Sequence, residues 1–191
     1  MNKFKIAILA SGSGTNAEKI MSFFRNHDQI EVSLLLCNKS SAFVLERAKK
    51  FNVPTRIFSR QQFEGGEVSR WLQESNITHI VLAGFLWLIP ESLINQFSDH
   101  IINIHPALLP KYGGKGMYGM KVHEAVKASG DKESGITIHQ VNAEYDKGMV
   151  LFQAKCIVFP GDTPEQIAQK IHELEYKHYP SIIEDWILNG R

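Results

Sequence analysis

KIAILASGSGTNAEKIMSFFR, residues 5–25, reads as strand, glycine loop and helix in immediate succession. Lys5 to Ala10 is a short apolar run, and Ser11-Gly12-Ser13-Gly14-Thr15-Asn16 is small and flexible. Ala17 to Arg25 then carries apolar residues at Ile20, Met21, Phe23 and Phe24 at helical spacing. The same alternation recurs downstream. Glu31 to Cys37 reads as a second strand and Ala42 to Phe51 as a second helix, stopped by Pro54 before a brief strand near Thr55 to Phe58. Phe63 to Ser75 reads as a helix weakened at Gly65-Gly66, Thr78 to Ala83 as a buried strand, and Pro90 suits the first turn of a helix reaching Phe97. Strands alternating with helices predict an α/β fold: an open, mostly parallel, twisted, Rossmann-like sheet flanked by helices.

Beyond residue 110 the pattern changes. Lys111 to Met120 is glycine-rich and aperiodic, which predicts a long, functional or mobile loop. A short helix over Val122 to Ser129 precedes two alternating strands, Gly135 to Val141 and Val150 to Phe159, read as an antiparallel C-terminal pair. Thr163-Pro164-Glu165-Gln166 is a helix start, with Thr163 as cap, Pro164 in the first position and Gln166 closing the box. The long helix it opens is expected to run to about Tyr179, kink at Pro180 and resume towards Trp186. No repeat or linker divides the chain, so residues 1–191 are read as one domain.

Composition narrows the partners. Hydrophobic residues make up 43% of the 191, and 21 Lys and Arg against 20 Asp and Glu leave a net charge of +1. That balance argues against a nucleic-acid partner. Met1-Asn2-Lys3-Phe4-Lys5 leads straight into a strand with no signal-peptide core, and no apolar run reaches membrane-spanning length. Cys37 and Cys156 are isolated in strand-like runs and read as reduced packing residues. A soluble cytoplasmic protein without membrane contact is the expectation.

Chemistry concentrates at Ile101-Ile102-Asn103-Ile104-His105-Pro106-Ala107-Leu108-Leu109-Pro110. Two residues apart on a strand, Asn103 and His105 share a face, at the carboxyl edge where open α/β sheets bind ligands. An amide that donates hydrogen bonds beside a titratable imidazole suits an oxyanion and a moving proton, as in acyl transfer. Asp146, in Glu144-Tyr145-Asp146-Lys147-Gly148, is a turn acid that would favour the imidazolium if it approached His105. Gly12-Ser13-Gly14-Thr15-Asn16-Ala17 has the form G-x-G-x-x-A, a phosphate cradle at a helix start or simply a tight turn. A dinucleotide site wants an acid about 20 positions on. Cys37-Asn38-Lys39 offers none, so a phosphomonoester fits better, and no Gly-Lys-Ser/Thr makes it a Walker loop. His27, His79, His100, His123, His139, His172 and His178 lack metal-ligand spacing, so metal catalysis is not expected. Leu86-Trp87-Leu88-Ile89 is the most apolar loop and could be core or hold a flat heterocycle.

These residues resemble the formyltransferase family, and within it the folate-dependent phosphoribosylglycinamide formyltransferases of purine synthesis, over nearly the whole chain. The likeness is carried by the glycine loop, Ser40 to Ala48, Val81-Leu82-Ala83-Gly84-Phe85, Asn103-Ile104-His105-Pro106 with Leu108 to Tyr112, and Gln153-Ala154-Lys155. The resemblance implies formyl transfer from 10-formyltetrahydrofolate to the amine of glycinamide ribonucleotide, without a metal. It implies Asn103, His105 and Asp146 as the catalytic three. Gly14, Thr15 and Asn16 match the family's substrate-phosphate loop, and Glu175 its contact to the glycinamide ribose portion. Leu86, Trp87, Leu88, Ile89 and Asn103, with Asn142, Ala143, Glu144 and Tyr145, match the folate contacts. The N-terminal half is thereby assigned to the phosphate substrate and the C-terminal half to folate. Leu109–Pro110 falls where the family has a cis peptide, and monomer and homodimer both stay open.

Two departures stand out. Many relatives carry Arg where this chain has Trp87, and another folate-contacting Arg is replaced near Gly66, leaving Arg60 and Arg70 as candidates for the folate's glutamate tail. Gly113-Gly114-Lys115-Gly116-Met117-Tyr118 also departs from the common loop. Rival readings share the catalytic residues. A 10-formyltetrahydrofolate deformylase would carry an extra N-terminal domain, for which Met1 to Lys5 leaves no room. A methionyl-tRNA formyltransferase would need an RNA-binding domain, and a sugar-nucleotide formyltransferase a different acceptor loop. A non-catalytic folate- or nucleotide-binding module would bind and release no product.

Overall fold

The computed structural model describes residues 3–190; the expected start at Met1-Asn2 lies outside them. Seven strands form one sheet in the order β3-β2-β1-β4-β5-β6-β7. They are β1 (Phe4–Ala10), β2 (Ile30–Cys37), β3 (Thr55–Ile57), β4 (His79–Leu82), β5 (Ile101–His105), β6 (Glu133–Gln140) and β7 (Val150–Ile157). The first five run parallel, and β6 and β7 are antiparallel to their neighbours. This is the expected sheet with its antiparallel pair at one edge.

Alternation along β1 shows why both faces are covered. Ile6, Ile8 and Ala10 enter one core with Ile20 and Met21 of α1 (Thr15–Phe23), Val44 of α2 (Val44–Lys50), Val126 of α6 (Met120–Ser129) and Ile171 and Ile183 of α7 (Pro164–Asn189). Ala7 and Leu9 enter the other with Phe63 of α3 (Arg60–Glu64), Val68 and Leu72 of α4 (Glu67–Glu74) and Leu93 of α5 (Glu91–Gln96). A strand buried on both sides must read as a near-continuous apolar run, as this one does.

Three boundaries differ from expectation. The single helix expected over Phe63 to Ser75 is two, because Gly66 takes a φ of 83° and caps α4. Pro90 is the cap residue of α5, in extended backbone, and not its first turn. Helix α7 continues through Pro180 to Asn189 without a break. It is pinned on both sides of the proline: Tyr179 is fully buried and donates its hydroxyl to the Leu82 carbonyl at 2.8 Å, while Ile183 and Trp186 are buried beyond it. The Leu109–Pro110 bond is cis, as expected. Among the described residues no helix is long and apolar enough to cross a membrane.

Strand β1 lies between β2 and β4, so the chain reverses direction of winding there. In such sheets the crevice outside the carboxyl ends at the reversal binds ligands. The loops leaving β1 and β4 are tied across it, Ser11 N–H to the Gly84 carbonyl at 3.1 Å and Leu86 N–H to Ser11 Oγ at 3.2 Å.

Candidate active site

A cavity of about 590 Å³ opens at that reversal. Its walls come from the glycine loop, the segment after β4, the end of β5, the loop before α6, the end of β6 with residues 141–146, and two side chains of α7.

The glycine loop is shaped by α2. Val44 N–H bonds the Gly12 carbonyl at 3.2 Å and Arg47 Nε the Ser13 carbonyl at 2.8 Å, which turns those carbonyls away from the cavity. The N–H groups of the first turn of α1, which have no partner within the helix, are left beside it. Gly14 caps α1 at a φ of 76°, and a Cβ there would stand 2.2 Å from Val44 Cγ2. Beside this loop Glu175 accepts from Asn16 Nδ2 at 3.0 Å and from His172 Nδ1 at 2.9 Å. That bond to Glu175 raises the His172 pKa, which favours the imidazolium at the cavity wall near the glycine loop. Asn16 Oδ1 is buried without a partner. Helix dipole, N–H groups and imidazolium together suit a dianion.

At the other end, strand pairing sets the geometry. Asn103 lies opposite His139 and His105 opposite Thr137 across β5 and β6, so two alternating polar pairs share one face. Thr137 Oγ1 donates to the Ala107 carbonyl at 2.7 Å and accepts from Leu109 N–H at 3.0 Å and Gln153 Nε2 at 2.8 Å, fixing the turn after His105. His105 is 4% exposed. Its Nε2–H donates to the Tyr112 carbonyl at 2.7 Å, leaving Nδ1 facing Asp146 Oδ2 at 3.5 Å. His139 donates Nδ1–H to the Gln140 carbonyl at 2.7 Å. Its Nε2 then faces the Asn103 amide at 3.2 Å and Asp146 Oδ1 at 3.6 Å. That Nε2 contact holds the Asn103 amide at the wall. Asp146 Oδ2 also accepts Gly114 N–H at 2.8 Å, joining it to the loop before α6.

Burial pushes the His105 pKa down, and Asp146 and the Tyr112 carbonyl offset only part of that. Sequence reasoning had Asp146 favouring the imidazolium. It does, yet burial outweighs it, which favours a neutral ring. A lone pair on Nδ1 beside a carboxylate is primed to take a proton. Burial likewise pushes the Asp146 carboxyl up, but His139, His105 and the Gly114 N–H outweigh it and hold it below the usual carboxylate range.

Asn103, His105, Asp146, Gly14, Thr15, Asn16, Glu175, Leu86, Trp87, Leu88, Ile89, Asn142, Glu144 and Tyr145 all line the one cavity. Ala143 does not; it is exposed on the same loop. His123, His139 and His172 line it too, without having been singled out, as does the glycine-rich loop from Gly114 to Gly119. His139 was visible as Thr137-x-His139, a second period-two polar pair; reading histidines only for metal spacing passed over it. Among the described residues no group of three or more His, Cys, Asp and Glu is placed to hold a metal.

The sequence profile named Formyl transferase matches residues 4–183. The chain belongs to the formyl transferase family. This formyl transferase is 39% identical over 186 residues to the chloroplastic phosphoribosylglycinamide formyltransferase of Arabidopsis thaliana, covering 94% of this chain and 64% of that one. It is 35% identical over 194 residues to the phosphoribosylglycinamide formyltransferase of Bacillus subtilis, covering 98% and 97%. It therefore spans under two-thirds of the chloroplastic relative and nearly all of the bacterial one. The crystal structure of phosphoribosylglycinamide formyltransferase from Bacillus halodurans superposes with a TM-score of 0.88 at 32% identity, covering 98% and 97%.

Proposed function

We propose that this formyl transferase moves the formyl group of 10-formyltetrahydrofolate to the primary amine of glycinamide ribonucleotide, releasing tetrahydrofolate in purine synthesis. Asn103, His105 and Asp146 are assigned as the catalytic three, and their convergence on one wall of a cavity whose far end is a glycine-loop helix start carries the reading. In this assignment the acceptor's phosphate sits on Gly14, Thr15 and Asn16 with the His172 ring beside it, and Glu175 meets the glycinamide ribose portion. The apolar segment Leu86 to Ile89 and the loop from Asn142 to Tyr145 enclose the folate. The N-terminal half thus supplies the phosphate cradle, the C-terminal half much of the folate wall, within a single domain.

Chemically, the amine nitrogen forms a bond to the formyl carbon and an electron pair moves onto the formyl oxygen. The Asn103 amide and the charge gained by His105 stabilise that oxyanion. Neutral His105, backed by ionised Asp146, takes the amine's proton. As the bond from the formyl carbon to folate N10 breaks, the proton passes to N10 and the oxygen regains its double bond. Holding both substrates in one cavity makes the attack effectively intramolecular.

The test mixes purified protein with 10-formyltetrahydrofolate, with and without glycinamide ribonucleotide, and follows tetrahydrofolate and the formylated amine. Matched, amine-dependent appearance of both is expected. Tetrahydrofolate and formate without amine would replace the transferase by a deformylase.

A further inference from the structure

On the reading that His105 takes the amine's proton, we infer that Gln153, exposed on the edge strand and outside the cavity, is a positioning residue that keeps the His105 ring in its proton-accepting tautomer. Strand register sets the line of contact. His105 pairs with Thr137 across β5 and β6, and Thr137 pairs with Gln153 across β6 and β7. Directly paired residues of antiparallel strands put their side chains on one face. The three therefore stand in a row from the reacting end of the cavity to β7 at the edge of the sheet.

The turn that follows His105 is laid over this row. Gly135, two residues before Thr137 and on the same face, leaves room for it: a Cβ there would stand 2.6 Å from Leu108 Cδ2. Thr137 is fully buried, and its hydroxyl holds the Ala107 carbonyl and the Leu109 N–H. Gln153 closes the other side of Leu109. Its Nε2 donates to the Leu109 carbonyl at 3.1 Å and to Thr137 Oγ1 at 2.8 Å. The N–H and the carbonyl of Leu109 are thereby both tied. Its side chain runs beneath Gly113, where a Cβ would lie 2.5 Å from Leu109 Cδ2 and 3.3 Å from Asp146 Cβ. Between Leu109 and Gly113 stands Tyr112, whose carbonyl takes the Nε2–H of His105.

The single proton of the neutral ring has two acceptors competing for it. The Tyr112 carbonyl draws it to Nε2 at 2.7 Å, and the Asp146 carboxylate, 3.5 Å from Nδ1, draws it to the other nitrogen. A proton on Nδ1 would fill the lone pair that the amine's proton needs. A carboxylate is intrinsically the stronger acceptor, so Tyr112 prevails only while its carbonyl is held close. Tyr112 sits at a φ of 56°, a conformation a non-glycine residue keeps only when its surroundings impose it. Its hydroxyl is anchored 2.6 Å from Ser129 Oγ and 2.8 Å from Asp131 Oδ2. Gln153 and Thr137 anchor the backbone three residues earlier. Of the row, His105 and Thr137 are buried and Gln153 is exposed, so Gln153 can be changed without opening the core.

Gln153→Met keeps the reach of the side chain and removes both donations. It should lower kcat about three- to tenfold, the scale of one neutral hydrogen bond, with KM for donor and amine and the melting temperature kept. Histidine ¹⁵N NMR of the ligand-free protein reads the ring directly. Wild-type His105 should carry its proton on Nε2, and Gln153→Met should move a measurable share to Nδ1. The pH–rate limb should move to lower pH, because the Tyr112 bond favours the imidazolium. The titratable groups that act on the ring, Asp146, His139 of β6, Glu175 of α7 and His123 of α6, are the same in both proteins. Lys155→Met, two residues on along β7, loses only an ion pair to Glu133 at 3.1 Å and should change none of these readings. A kcat or a His105 signal that stays at wild type in Gln153→Met, a limb that moves upward, or the same losses in Lys155→Met would overturn the inference. Should wild type form no product with the amine, the transfer reading fails separately, and the tautomer comparison decides the positioning by itself.

Discussion

At the scale of single residues, the site depends on one carboxylate held between two imidazoles and a backbone N–H. Asn103 and His105 were legible because a strand's period of two puts them on one face, whatever surrounds them. Asp146 was legible as an acid in a turn but not as their partner, because the approach is made by backbone that sequence does not announce. Both Asp146 and Tyr112, whose carbonyl takes the His105 proton donor, sit in the left-handed region at φ values of 57° and 56°. Gly148 lets the loop return, since a Cβ there would lie 1.7 Å from the Gln140 carbonyl oxygen. Two tests belong here. On the proposed mechanism Asn103→Ala, which removes an oxyanion donor, should cost about 10² to 10³ in kcat and leave the melting temperature near wild type; near-native turnover would remove Asn103 from the chemistry. The pH dependence carries a sign. On the proposed mechanism neutral His105 is the proton acceptor, and burial lowers its pKa, so turnover should rise with pH along a limb centred below 6.5. Asp146 pushes that pKa up, so Asp146→Asn should move the limb to still lower pH besides reducing the rate. A limb moving upward in pH–rate profiles would contradict the electrostatics.

At the scale of elements, the strand–loop–helix at residues 4–23 forms the glycine-loop end of the cavity, and its reading from sequence was sound because both faces of β1 had to be apolar and only small residues could follow. The split between α3 and α4 and the unbroken run of α7 were less legible. Gly65-Gly66 and Pro180 are local signals, and burial of Val68 and Leu72 in one case and of Tyr179 and Ile183 in the other decides what the chain does with them. The glycine turn itself gives a graded test. Gly14→Ala must hold a left-handed φ and push a methyl into Val44, with its backbone Cα only 2.9 Å away. A loss of about 2 to 4 kcal/mol in urea unfolding and a raised KM for the amine substrate are expected. Gly12→Ala meets nothing within 4 Å and should stay within about 0.5 kcal/mol. If both variants behaved alike, the turn would not be the constraint that sets the helix start.

At the scale of the whole molecule, the same burial that builds the sheet makes folding pH-dependent from both of its ends. His79 stands at the start of β4, away from the cavity, with its ring 4.8 Å from Trp186 of α7, 5.8 Å from Phe4 and 4.6 Å from His100. His123 stands at the cavity end on α6, with Nδ1 unpartnered. Burial first, and neighbouring histidines second, bring both down to about 4. A base whose folded pKa is depressed is neutral in the native state while the unfolded chain takes up its proton below about 6.5. Stability is therefore whole above that value and drains away as pH falls towards 4, at about 1.4 kcal/mol per pH unit for each such group, or about 2.7 for the two. His172 runs the other way: its raised pKa adds stability that is lost only as pH climbs above 6.5, so it does not cancel the acid loss. Asp146, held below 3.8, adds a further loss only under that pH. Urea midpoints should accordingly slide steadily from pH 6.5 to pH 4.5, with the buried His105 adding to the loss, and His79→Gln should make the slope shallower without abolishing it while leaving turnover at pH 7.5 alone, because that ring is remote from the cavity. Midpoints that stayed level across this window would mean that the two rings are protonated in the native state, and the packing around Trp186 and α6 would have to admit water that the buried rings exclude.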